Sequence, residues 1–113
     1  SGSIPYSLLT GTPAVAPDTF AIVTKTTTYA ITTSDKVILN NHSAAISDTL
    51  PTAVGVRGKT FIIKDISGNA LNNNISVLPR NSQTIDGASN YLINLNYGSV
   101  QVISDNSNWY ILK

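Results

Sequence analysis

The chain contains no cysteine, no methionine and no glutamate, and only one histidine and one tryptophan among its 113 residues. Without cysteine there is no disulfide framework, no thiolate metal site and no thiol nucleophile. Without glutamate all six acidic residues are Asp, a weak helix former that competes for backbone hydrogen bonds. Charge is scarce as well: 12% of residues carry one, and the net charge is +1. The Lys and Arg are scattered, with no basic stripe to follow a phosphate backbone, so nucleic acid is not an expected ligand. No apolar stretch approaches the roughly 20 residues of a membrane-spanning helix, and no signal peptide pattern is visible. Membrane insertion is not expected.

Small polar side chains take the place of charge. Ser, Thr and Asn form about a third of the chain, between apolar runs rich in Val, Ile and Tyr. The 42% hydrophobic content falls in regular segments, which argues for a folded domain. A chain of this length buries a core without metals or disulfides.

The opening Ser1-Gly2-Ser3 reads as a cloning scar. Residues 4–27 carry Pro5, Pro13 and Pro17 and read as an extended segment, a linker to an upstream shaft or an inter-subunit arm. Residues 28–113 read as the folded domain. Strands are expected at Thr28–Thr32, Lys36–Asn40, Val100–Ile103 and Trp109–Leu112. The clearest alternation places Tyr91, Ile93, Leu95 and Tyr97 on one face of a further strand. Gly58–Pro79 reads as a hairpin whose turn is Asp65-Ile66-Ser67-Gly68-Asn69, and Asp86-Gly87 is a second strong turn signal. Strands at this spacing predict an all-β fold, a β-sandwich or jelly-roll-like domain. Some strands are apolar on both faces, Ile62 against Phe61 and Ile63, and Tyr110 with Leu112 against Trp109 and Ile111. The second apolar face predicts an oligomer.

Candidate chemistry is sparse. His42 would have to serve any Ser/His/Asp triad, but Asn40-Asn41-His42-Ser43 reads as a polar loop with a solvated histidine. Asp35, Asp48, Asp65, Asp86 and Asp105 all stand in turn-like contexts, and no spacing selects a pair for glycoside hydrolysis. Asp105 with Ser107 and Asn108, or Asp65 with Asn69, could offer oxygens to calcium, but tight turns explain both segments better. No catalytic residue, metal or cofactor is therefore assigned. The residues best suited to a sugar are two aromatic–amide pairs, Asn90 with Tyr91 and Asn96 with Tyr97. Trp109 is read as core, with sugar stacking as the alternative. Asn41-His42-Ser43 and Asn74-Ile75-Ser76 match the glycosylation acceptor pattern, as expected by chance in so Asn-rich a chain.

The elements Tyr29-Ala30-Ile31-Thr32, Leu50-Pro51-Thr52-Ala53, Ile63-Lys64-Asp65-Ile66-Ser67-Gly68-Asn69-Ala70, Thr84-Ile85-Asp86-Gly87 and Asn108-Trp109 stand in an order that resembles the repeat-type module of phage tail fibres and tailspikes. The resemblance covers about residues 28–113. It implies a homotrimeric, non-enzymatic fibre domain on the virion surface that takes part in host attachment, with a host surface glycan as the ligand. Purely structural trimerisation or capping of a fibre is the alternative, and glycan cleavage is disfavoured. Tailspikes that cleave glycans generally do so in a separate β-helix, for which this chain has no room.

Overall fold

The computed structural model describes residues 19–113, so the stretch read as a cloning scar and the proline-rich positions 4–18 lie outside the described residues. Nine strands follow in order: β1 Ile22–Lys25, β2 Tyr29–Ala30, β3 Val37–Asn40, β4 Ile46–Thr49, β5 Thr60–Asp65, β6 Ile75–Leu78, β7 Tyr91–Ile93, β8 Ser99–Ser104 and β9 Trp109–Leu112. The described residues contain no helix, in keeping with a chain short of helix formers. Ile22–Lys25, within the stretch read as an extended arm, is the first strand among the described residues.

The strands divide by alternation between two sheets. One has the order β1-β3-β5-β8-β9 and the other β2-β4-β6-β7. The chain therefore coils three times, laying one strand in each sheet per turn. Within this part all neighbours are parallel: β1 with β3, β3 with β5, β2 with β4, and β4 with β6. Only the last strands reverse, as β7 joins β6, β8 joins β5 and β9 joins β8 in antiparallel pairs.

The all-β reading holds, and two sheets enclose one core, but the connections are not those expected. Gly58–Pro79 is not a hairpin, because β5 and β6 lie in opposite sheets. Its turn carries the chain across the core instead of folding a strand back on its neighbour. A jelly roll is built of antiparallel strands, whereas the first six strands here form a short parallel coil. The chain does have room for a three-turn coil of this kind.

Alternation decides which side chains the coil encloses. From the five-stranded sheet come Ile38, Phe61, Ile63, Val100, Val102 and Trp109, and from the four-stranded sheet Ile46, Ile75, Val77 and Ile93. Phe61 and Trp109 meet with ring centroids 5.6 Å apart and planes tilted by 56°. Trp109 is fully buried, so it belongs to the core and not to a sugar platform. Asp86 and Gly87 both have positive φ (50° and 82°), as a two-residue reversal of the primed kind requires. The reversal closes on reciprocal Ile85–Ala88 hydrogen bonds of 2.8 and 2.9 Å. It docks on the outer edge of β9, where Asp86 N donates to the Trp109 carbonyl and Ile111 N donates to Asp86 Oδ1.

Gly68 is required twice over. Its φ is +75°, and a Cβ added there would lie 2.8 Å from the Tyr97 ring. Gly68→Ala is expected to lower stability by about 1–3 kcal/mol through backbone strain. Urea denaturation measures this, and an unchanged midpoint would refute the account.

Candidate functional site

At the end of β5 the chain must leave one sheet and cross to the other. Asp65, fully buried, organises that crossing. Its Oδ1 accepts from Ser67 N at 2.8 Å, Ser67 Oγ at 2.6 Å and Gly68 N at 3.1 Å. Oδ2 accepts from Ala70 N and Tyr97 N, both at 3.0 Å. Five donors thus converge on one carboxylate and occupy the lone pairs that a calcium ion would need. Burial alone would raise this carboxyl, but the Ser67 hydroxyl and the amides of Tyr97, Ala70 and Ser67 outweigh it. They hold Asp65 well below the usual carboxylate range.

His42 packs on the same crossing and is buried, not solvated as expected for a polar loop. The reason is long-range: its Nε2 donates to the Asn73 carbonyl at 2.8 Å, and its Nδ1 lies 3.3 Å from Ser67 Oγ. Asp65 Oδ1 also approaches Nδ1, at 3.7 Å. Ser, His and Asp are together, yet not as a triad. In a triad the ring stands between hydroxyl and carboxylate. Here both lie at the same ring nitrogen, the Ser67 proton goes directly to Asp65, and a backbone carbonyl takes Nε2.

Three other aspartates behave as turn residues. Asp35 accepts from Thr32 N and from the Tyr29 hydroxyl, Asp105 from the amides of Ser107 and Asn108, and Asp86 caps the tip described above. Asp48 does not. It lies in β4 between Ile46 and Leu50, all three facing the core, and it is fully buried. Neither of its oxygens has a hydrogen-bond partner, and neither side-chain atom of buried Asn40 has one. Burial pushes the Asp48 carboxyl up to about 6, against a smaller opposing influence of the Asn40 amide and the His42 ring. Ser47-Asp48-Thr49 resembles a turn in composition, but the period-two placement with Ile46 and Leu50 marks a core position.

The four residues proposed for sugar binding fall at two places. Asn90 is exposed where β7 begins. Tyr91 is partly buried against the core and lines a groove of about 370 Å³ with Ile62, Gln101, Ile111 and Leu112. Asn96 and Tyr97 lie beyond the other end of β7, which stops at Ile93 instead of continuing to Tyr97. Tyr97 has a positive φ of 62°. That conformation, fixed by the hydrogen bond its backbone N–H donates to Asp65, ends the alternation and turns the ring outward, 59% exposed. One face of the ring rests over Gly68, and Lys64 Nζ lies 5.8 Å from its centroid while bonding to the Tyr97 carbonyl. Asn96 Oδ1 accepts from Leu71 N at 3.0 Å, so Asn96 helps to hold the neighbouring loop. Leu71 and Leu95 are also exposed.

No protein-family model matches the chain, and no curated protein matches it.

The two buried aspartates give opposite pH dependences. Asp48 binds its proton more tightly folded than unfolded, where carboxyls titrate near about 3.9. Its effect is therefore to raise stability as pH falls from about 6 towards 4, by at most about 3 kcal/mol. Asp65 is depressed, so its contribution is complete above the unfolded value and is lost as pH falls below about 4. Denaturant titrations from pH 7 to 3 are expected to show maximal stability near about pH 4–5. Asp48→Asn is expected to flatten the limb between pH 7 and 5. A wild-type stability that falls steadily from pH 7 downwards would contradict the role given to Asp48.

Proposed function

We propose that this chain is a non-enzymatic fibre domain that assembles with copies of itself, as a trimer, and attaches to a surface glycan. The observation that carries the reading is an apolar row on the outer face of the five-stranded sheet. The four-stranded sheet turns out Ser47, Thr49 and Ser76 together with Leu78 and Leu92, a mixed face. The five-stranded sheet turns out Ile22, Val37, Ile62 and Leu112 in one row across the register, broken by Gln101, with Leu39, Ile103 and Tyr110 beside Thr24, Thr60, Lys64 and Ser99 in the flanking rows. Ile22 is 61% exposed and Leu112 42%. No carboxylate stands on these outward positions. A monomer gains nothing from a contiguous apolar face, whereas packing against copies of the same face removes it from water.

The viral-fibre identity rests on the sequence resemblance. The attachment surface rests on Tyr97, a firmly mounted and largely exposed ring with Lys64 and Asn96 beside it. An aromatic face with nearby amides and an ammonium suits a sugar ring and its hydroxyls. Affinity at one such shallow site is low, and three copies multiply it by avidity. His42, with both ring nitrogens engaged inside the fold, favours binding over catalysis.

Light scattering of the wild type is expected to give a trimeric mass, and Ile62→Lys a monomer that remains folded; a monomeric wild type sinks the assembly. On a glycan array the wild type is expected to bind a defined sugar class, with Tyr97→Ala weakening binding about threefold to tenfold. A trimer that binds nothing across a broad array leaves a purely structural fibre module as the correct reading.

A further inference from the structure

The two ends of the coil differ in charge. β1, β3 and β5 run parallel, and Ser99 at the start of β8 is paired in register with Lys64 near the end of β5. Residues 26–28, 41–45, 66–74 and 94–98 therefore connect the strands at one and the same end, where Leu71 N donates to Asn96 Oδ1. None of these connecting residues is Asp, Lys or Arg. Among the described residues, the side-chain carboxylates that reach solvent, Asp35, Asp86 and Asp105, all stand in the connections at the opposite end, in company with Lys36, Arg57, Lys59 and Arg80. The remaining two, Asp48 and Asp65, are fully buried.

Lys25 and Lys64 close β1 and β5 at the end without exposed carboxylates, and they are compensated differently. Lys25 Nζ lies 4.4 Å from the Tyr29 ring centroid, and its charge acts on Asp35, which accepts from the Tyr29 hydroxyl at 2.7 Å. An acid thus answers Lys25. Lys64 instead bonds to a neutral acceptor, the Tyr97 carbonyl, and no carboxylate among the described residues lies within ion-pair distance of it. That bond leaves the ammonium with further N–H donors. Its Nζ is 5.8 Å from the centroid of the exposed Tyr97 ring. An aromatic ring and an unmatched cation therefore stand side by side, on a surface with no carboxylate to repel an anion.

We infer, on the reading of Tyr97 as an attachment surface, that the glycan bound there is anionic: its carboxylate or sulfate is taken by the Lys64 ammonium while a sugar ring packs on Tyr97. A neutral sugar offers Lys64 only hydroxyl oxygens, whereas an anion forms charge-assisted hydrogen bonds, about twice as strong. Both groups are positioned before the ligand arrives. The hydrogen bond from Tyr97 N to Asp65 fixes the ring, and the bond to the Tyr97 carbonyl keeps the ammonium beside it. Little side-chain freedom is then lost on binding. Exposed Asn72 and Asn94 in the same connections supply amide donors and acceptors for sugar hydroxyls. The segregation of carboxylates also orients the encounter, because an acidic polysaccharide is repelled from the far end and approaches the Tyr97 end first. In a trimer three such ammoniums act on one polyanionic chain, which multiplies a weak preference at each site.

Binding of the full chain to an array of carboxylated and sulfated sugars, each printed beside its neutral counterpart with the carboxyl reduced or the sulfate removed, tests this and tells the two anions apart. The wild type is expected to prefer one acidic class over its counterpart, and salt at about 0.5 M to remove most of that preference. Lys64→Gln is expected to lower the acidic-to-neutral ratio about twofold to fivefold per site, and Lys64→Arg to retain it. The ratio isolates charge recognition, since damage to the Tyr97 mount weakens both members of a pair alike. Wild-type preference and salt dependence need no variant, so the test stands even where Lys64→Gln fails to fold. A ratio unchanged by Lys64→Gln overturns the inference, and so does a wild type that binds acidic and neutral members equally. In the latter case, binding that Tyr97→Ala still weakens leaves the attachment reading intact; a wild type that binds no member overturns both.

Discussion

One buried carboxylate sets the geometry on which the rest depends. Asp65 ends β5, shapes the crossing from one sheet to the other, and holds the amide of Tyr97 from the opposite side of the chain's long return. Through Ser67 it also fixes the plane of His42, and through His42 the loop that leads from β3 into β4. Four segments distant in sequence are thus registered against one anion. Hydrogen bonds to an ionised acceptor are about twice as strong as neutral ones. That strength is needed here, because a coil of parallel strands has no tight hairpins to set its register locally.

The same carboxylate explains why the most exposed aromatic ring among the described residues is also a well-positioned one. Tyr97 adopts a left-handed backbone, which costs an ordinary residue about 1–3 kcal/mol. The hydrogen bond its backbone N–H donates to Asp65 and its packing on Gly68 offset that cost. An outward ring on a fixed mount loses little freedom when a ligand covers it. Scaffold and proposed binding surface are therefore the same construction seen from two sides.

What the sequence revealed follows from how far each signal reaches. Most strand positions, the Asp86-Gly87 reversal and the turn at Asp65 are written in adjacent residues and were legible, whereas β1 lay in the stretch read as an arm and β4 fell between the expected strands. Partnership was not. Alternation of Phe61, Ile62 and Ile63 tells which side chains share a face, but not which strand lies beside them, so β5 and β6 looked like a hairpin when they face each other across the core. His42 looked solvated because Asn73 and Ser67, which bury it, lie far along the chain. Asp48 was misread for a different reason: small polar neighbours suggested a turn, while the stronger evidence was its period-two spacing from Ile46 and Leu50. Of the sugar-binding residues, the aromatic–amide pairs were visible, but the sequence did not show that β7 stops early and separates them.

The reversal at Asp86-Gly87 has a bearing beyond its own geometry. By occupying the flank of β9 it leaves no ladder there for a further strand to join. At the opposite limit of the same sheet, among the described residues, no strand lies outside β1. The sheet is thus a ladder with a stop at one rail and an open rung at the other. Among the described residues, a further strand of this sheet has a free ladder only beside β1, which gives the sheet a polarity.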